Sequence, residues 1–303
     1  MLKLSQYRQL INLDENFSLT PVGFTEKEEC ALVNSLLTKT AGIEASGYFP
    51  KSFLYPRDRL YARLISRIPF SLCEEVLKEI DRLFVHEKSK MKIMKSSEIQ
   101  KVFKHHDFST KVALWQGDIC SLAVDAIVNA ANERMLGCFH PFHRCIDNVI
   151  HAASGPRLRD DCSRIVNLQG EFETIGCAKI TRAYHLPSQF ILHTVGPIYE
   201  NPSRHSSYSN LLSECYKSCL NLADQLSAIS SIAFPCISTG LFGFPNEAAA
   251  QIALNSVMDW LQEHPQRFSL IVFNVFLDKD FKIYQNEIDR RNNNVSKWPK
   301  PAN

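Results

Sequence analysis

Ala126-Ile127-Val128-Asn129-Ala130-Ala131-Asn132 is the stretch from which the fold is read. Its first three residues form a short apolar run, and amides with small side chains end it. A run of this kind bounded by turn residues predicts a buried strand that hands over to a loop. Five more runs share the pattern: Val112–Gln116, Ala178–Ala183, Phe190–Val195, Ile229–Ile237 and Leu270–Phe276. Helical patterns fall between them. The clearest has Ala249, Ile252, Ala253, Val257, Trp260 and Leu261 on one apolar face. Strand and helix in alternation predict an α/β fold, a mostly parallel or mixed sheet with helices on both faces.

Five positions after Asn132 a second unusual stretch begins, Gly137-Cys138-Phe139-His140-Pro141-Phe142-His143-Arg144-Cys145-Ile146. Cys138, His143 and Cys145 make a Cys-x4-His-x-Cys array, and thiolates with an imidazole are the donor set that suits Zn²⁺. Three ligands leave one tetrahedral position open, as in catalytic sites; a fourth from His140, His151 or Cys162 would close it into a structural one. His140 also competes with His143 for the same cation. The other cysteines with apolar neighbours, Cys120, Cys162, Cys177 and Cys236, read as small buried hydrophobes, and His193, inside an apolar strand, reads as a core histidine.

Residues 1 to 105 read as a helical domain. Thr25-Glu26-Lys27-Glu28 is a capping box ahead of Ala31, Val33, Leu36 and Leu37, and Ser71-Leu72-Cys73-Glu74 repeats the device ahead of Val76, Ile80, Leu83 and Phe84. Pro56 starts a helix carrying Leu60, Leu64, Ile65 and Ile68. Six lysines between Lys88 and Lys104 mark a solvated face or connector. Residues 106–291 form the α/β domain, and 292–303 read as a flexible tail.

The composition bounds the partners. With 45% apolar residues, 22% charged residues and a net charge of +2, the chain has the make-up of a globular protein with a substantial core. Near-neutrality argues against a dedicated nucleic-acid binder. No run of 18 apolar residues is present, so no membrane helix is expected. Met1–Tyr7 lacks an apolar signal region, so the expectation is a cytoplasmic protein with its ten cysteines reduced.

Three loops follow predicted strands, where α/β sheets bind their ligands: Gly117-Asp118-Ile119, Asn129 to Asn132, and Ser238-Thr239-Gly240-Leu241-Phe242-Gly243-Phe244-Pro245. The last, with two glycines and two hydroxyls ahead of a helix, suits a nest of backbone N–H groups around a diphosphate, though alone it also reads as an ordinary strand-to-helix loop. Taken with Val124 to Asn132, Ile191-Leu192-His193-Thr194-Val195-Gly196-Pro197 and Phe234-Pro235-Cys236-Ile237, these loops make the run from Val112 to Ile288 resemble the macrodomain family, which binds ADP-ribose. Gly137 to Ile146, followed by Asp147, stands where that family usually has a glycine run. This replacement resembles the zinc-dependent branch, whose members carry a helical N-terminal extension and hydrolyse protein-linked ADP-ribose.

The resemblance implies a three-layer α/β/α macrodomain with a mixed central sheet behind a small helical domain. It also implies roles. Asp118 accepts from the adenine amino group, with Ile119 packed nearby. Asn132 orients the distal ribose, and Ser238, Thr239, Gly240, Leu241 and Phe242 wrap the diphosphate. Cys138, His143 and Cys145 bind Zn²⁺ as the cofactor. Asp147 is a general base or a carboxylate acting through a neighbour. The implied function is removal of mono-ADP-ribose from proteins by a monomer, with a lipoyl-carrier protein modified by a sirtuin-type transferase as one implied substrate. The alternative is a non-catalytic ADP-ribose reader with a structural zinc. Phe139, Phe142 and Phe244 either line the ribose pocket or seal their loops against the core.

Overall fold

The computed structural model describes residues 2–20, 22–43, 55–100, 102 and 112–293. Lys101 and Lys104 of the basic stretch and residues 294–303 of the expected tail lie outside the described residues. In chain order the elements are α1 (Leu4–Tyr7), α2 (Glu26–Lys39), α3 (Pro56–Ser66), α4 (Glu74–Ser89), β1 (Met94–Lys95), β2 (Val112–Gln116), β3 (Leu122–Ala123), β4 (Ala126–Ala131), α5 (Ile146–Ser154), α6 (Pro156–Gln169), β5 (Ala178–Arg182), β6 (Phe190–Val195), α7 (His205–Asp224), β7 (Ser231–Phe234), α8 (Asn246–Glu263), β8 (Leu270–Val275) and α9 (Asp278–Asn293).

The chain folds as two compact units. The first gathers Met1–Lys92, Arg134–Phe172 and Thr181–Leu186. Its helices start for legible reasons. At Thr25 the expected box forms: the Glu28 amide donates to the threonine hydroxyl at 3.3 Å, and the Thr25 amide donates to the Glu28 carboxylate at 2.8 Å. Pro56 occupies the first turn of α3. The second expected box is absent. Cys73 is the N-cap of α4 without a side-chain bond, because the Ser71 hydroxyl donates backwards to Ile68 O at 2.6 Å. Ile68 lies beyond the end of α3 and is exposed, not on its buried face. Val33, Leu36, Leu60, Leu64, Ile80, Leu83 and Phe84 form the helical core, each contributing about 1.5–3 kcal/mol through burial.

Asp81 knots this unit. It accepts from Arg157 Nε at 3.0 Å and Nη2 at 2.8 Å, and His185 Nε2 lies 2.9 Å away, so α4, α6 and residues 181–186 meet at one carboxylate. Burial opposes the charge on Arg157, yet the carboxylates of Glu74 and Asp81 raise its pKa. Lys88, expected in a solvated stretch, is half-buried and donates to Leu186 O at 2.7 Å; burial lowers its pKa.

The second unit comprises Ile93–Glu133, Glu173–Ile180 and Pro187–Asn303. It carries a mixed central sheet with flanking helices, an α/β fold as expected. The strand order is β2-β8-β7-β4-β6-β5, and β2 with β8, β8 with β7, β7 with β4 and β4 with β6 are parallel. β6 and β8 are buried at every residue, the mark of strands covered on both faces. α8 begins at Asn246 and buries Ala249, Ala253, Val257, Trp260 and Leu261 of the predicted stripe, with Ile252 only half-buried. Chain connections leave β4 towards β6 and β5 but leave β7 towards β8. The carboxyl ends of β4 and β7 therefore form a topological switch point, where crevices open in such sheets.

Candidate functional site

In the second unit the predicted nucleotide-binding residues follow the carboxyl ends of three parallel strands, β2, β7 and β4, with β8 between the first two. Asp118 follows β2 and caps a single 3₁₀ turn, accepting from the Cys120 amide at 2.9 Å. Ile119 behind it is buried. Gly117, just before Asp118, sits so close to Trp115 that an added Cβ would lie 2.4 Å from the indole. The Gly117 amide donates to Val275 O and its carbonyl accepts from Asn274 Nδ2, both at 2.9 Å, which fixes the turn to β8. Asn132 follows β4 and is half-buried.

Ser238 to Phe242 follow β7. Ser238 is in the left-handed region at φ 64°, with its buried hydroxyl against Gly196, where an added Cβ would meet that oxygen at 2.1 Å. The loop closes on itself through Phe244 N to Ser238 O at 3.0 Å and Gly243 N to Gly240 O at 3.0 Å. The amides of Gly240, Leu241 and Phe242 have no acceptor among the described residues, so three consecutive N–H groups are free to bond solvent or a ligand. Phe244 is buried and packs on Tyr199, a sealing role, and not an exposed pocket wall.

His193 is a satisfied core histidine. Fully buried in β6, it lies opposite Asn129 of β4, whose Nδ2 is 3.1 Å from its Nδ1, and burial drives its pKa down to about 3.

In the first unit the cysteine loop is drawn together. The ligand atoms of Cys138, His143 and Cys145 all lie within 4.8 Å of one another, and Cys138 Sγ is 3.4 Å from His143 Nδ1. Neither His140, which is exposed, nor any other histidine, cysteine or carboxylate among the described residues joins this group. A tetrahedral ion at Zn–S and Zn–N bond lengths sets its ligands about 3.5 Å apart, so the donor set fits zinc in type and spacing. Burial raises the Cys145 thiol above its usual range; a bond from the Asn148 amide opposes this, and the adjacent Cys138 adds to it. A divalent cation between the sulfurs would reverse that cost.

The loop's shape is built locally. Met135, Gly137 and Phe142 take positive φ, and Gly137 runs so near the His151 ring that an added Cβ would lie 2.8 Å from its Cγ. Cys145 is the N-cap of α5, and Asn148 in the first turn donates to His143 O at 2.8 Å. Asp147 is buried one turn from His151, with Oδ1 3.6 Å from Nε2. Asn148 and Arg159, which hold the loop, carry no sequence signal: each is a single polar residue in a helix whose partner is a backbone carbonyl.

Comparison with known proteins finds relatives of this chain. The family described as Macro domain matches residues 128–253. A protein-ADP-ribose hydrolase of Staphylococcus aureus (strain MRSA252) is 49% identical over 179 residues, covering 59% of this chain and 66% of that protein. The match thus spans slightly less than two thirds of that relative's own length. The Oceanobacillus iheyensis macrodomain with ADP is similar in structure at a TM-score of 0.54 and 36% identity, over 62% of this chain and 93% of that one. The Trypanosoma brucei macrodomain in complex with ADP-ribose aligns at a TM-score of 0.59 and 28% identity, over 75% of this chain and 94% of that one.

Proposed function

Since this chain belongs to the macrodomain family, we propose that it hydrolyses protein-linked ADP-ribose with the aid of a zinc ion held by Cys138, His143 and Cys145. The observation that carries the zinc reading is the group of three ligand atoms within 4.8 Å, with no fourth donor among the described residues. When bound, the metal supplies Lewis-acid polarisation of oxygen at an open coordination position.

The remaining work falls to the chain. Asp118 accepts from the adenine amino group and Ile119 packs beneath the base. The amides of Gly240, Leu241 and Phe242 donate to the diphosphate, with Ser238 and Thr239 shaping the turn. Asn132 orients the distal ribose, whose anomeric bond breaks; fixing that sugar through the diphosphate gives much of the rate advantage. Asp147, buried in the first turn of α5, acts as a general base or as a carboxylate working through a neighbour. The relative from Staphylococcus aureus, named a protein-ADP-ribose hydrolase, supports the reaction class. Lipoyl-carrier proteins modified by a sirtuin-type transferase are the substrates to assay first, in a cytoplasmic, monomeric setting.

The test is metal analysis of the purified protein joined to hydrolysis assays on several defined ADP-ribosyl linkages. One zinc per chain is expected. Chelation should stop turnover, added zinc should restore it, and ADP-ribose affinity measured by calorimetry should persist throughout. Circular dichroism on the same samples separates lost chemistry from lost folding. Full turnover by the metal-free protein would overturn the proposal. ADP-ribose binding without turnover on any linkage would leave a reader module.

A further inference from the structure

One guanidinium joins the cysteine loop to a helix of the N-terminal segment. Arg159 on α6 is 3% exposed. Its Nε donates to Leu136 O at 2.7 Å, and its Nη1 donates to Ile65 O at 2.6 Å and to Arg67 O at 2.9 Å. The same group lies over the Phe139 ring, 4.3 Å from its centroid. Leu136 and Phe139 flank Cys138, while Ile65 and Arg67 are at the end of α3, where carbonyls lack intrahelical donors. A second contact runs parallel to it: Tyr61 of α3 stacks on Phe142 with centroids 5.2 Å apart and planes at 25°, beside His143. The space left among Tyr61, Arg67, His151 and Arg159 is about 10 Å³, the lower limit for one water.

We propose that Arg159 is the positioning residue of the cysteine loop, fastening it to the end of α3 so that Cys138, His143 and Cys145 stay at ligand spacing. This rests on the zinc reading above. It assigns the N-terminal helices a definite task, that of a template on which the metal loop is built. The residue type follows from the geometry. Arginine presents several donors in a rigid planar fork that also stacks on an aromatic face, whereas lysine offers one compact ammonium. Lysine at this position keeps the charge and loses the brace.

The experiment uses the full chain with Arg159→Lys, Arg159→Ala and Phe139→Leu. Zinc affinity is read by chelator competition, and amide exchange is followed over residues 136–145. ADP-ribose affinity is measured by calorimetry, and kcat and KM are measured on an ADP-ribosylated protein. Arg159→Lys should lose zinc affinity by about 10–100-fold, the range for groups that orient ligands from behind. It should also raise exchange across the loop and lower kcat with KM little changed, while ADP-ribose affinity stays within twofold. Phe139→Leu should move the same readouts less far. Should Arg159→Ala fail to fold, the other two variants decide. Zinc affinity and loop exchange both within twofold of wild type in Arg159→Lys would overturn the inference. A wild-type chain that binds no zinc would overturn the proposed function instead, and the exchange rates alone would then decide whether Arg159 positions the loop.

Discussion

Gly137 is a position of the cysteine loop where even one added methyl group has no room. Its φ is +78°, and an added Cβ would press on the His151 ring at 2.8 Å. Gly137→Ala is expected to lower stability by about 1–2 kcal/mol through the left-handed backbone alone, with displacement of His151 adding to it. Urea denaturation measures the first effect and zinc competition the second; wild-type values in both would contradict the close approach. Cys138→Ala should abolish turnover while the chain still binds ADP-ribose, and unchanged turnover would remove the metal from the chemistry. Asp118→Ala should weaken ADP-ribose binding by about 1–3 kcal/mol on loss of one charge-assisted hydrogen bond, measured by calorimetry. At this scale the sequence was legible where partners are close in the chain. Cys138, His143 and Cys145 fall within eight positions, and the structure brings their ligand atoms within 4.8 Å of one another. Arg159 and Tyr61 were not legible, because their partners lie many residues away and take part through carbonyls or ring faces.

Strands were easier to read than helix ends. β6 falls where its apolar run predicts it, since a strand buried on both faces shows as a continuous hydrophobic stretch, and β2 matches its predicted span although its last two residues are not buried. Predicted runs overshoot β7 by several residues because Pro235 to Ile237 are as apolar as the strand but already turn towards the Ser238 loop. At α4 the pattern of a capping box was present and the bond was not. Pattern supplies the residue type, but the backbone path before Cys73 decides which carbonyl the Ser71 hydroxyl meets. An interaction with no sequence signature lies at β5, where Lys179 Nζ donates to Glu173 and both side chains are 1% exposed. Lys179→Met leaves a buried carboxylate uncompensated and is expected to cost about 3–5 kcal/mol. Replacing both partners with apolar residues should recover much of that loss. Denaturation midpoints of the two singles and the double decide this, and additive losses would show that the pair is not coupled.

For the molecule as a whole, acid is the condition under which buried chemistry shows itself. His193 is held neutral in the folded state with its pKa near 3, against about 6.5 when unfolded. Between those values the unfolded chain binds a proton that the folded chain does not, so this group makes stability fall as pH drops from about 6.5 towards 3 and has no effect above that window. Stability measured against pH should therefore be flatter over that interval in His193→Gln than in wild type; parallel curves would refute the burial of a neutral imidazole. The broad α/β plan was legible from alternating runs, and no helix among the described residues is long and apolar enough to cross a membrane. The assembly of the first unit was not legible, because it gathers three separate segments, Met1–Lys92, Arg134–Phe172 and Thr181–Leu186. During translation the first 92 residues leave the ribosome before Arg157, Asp160 and His185 exist to meet Asp81 and Arg67. The nascent helices must wait, their ionic partners unsynthesised, until the chain has grown past position 186, so they should engage a holding chaperone until that point is reached.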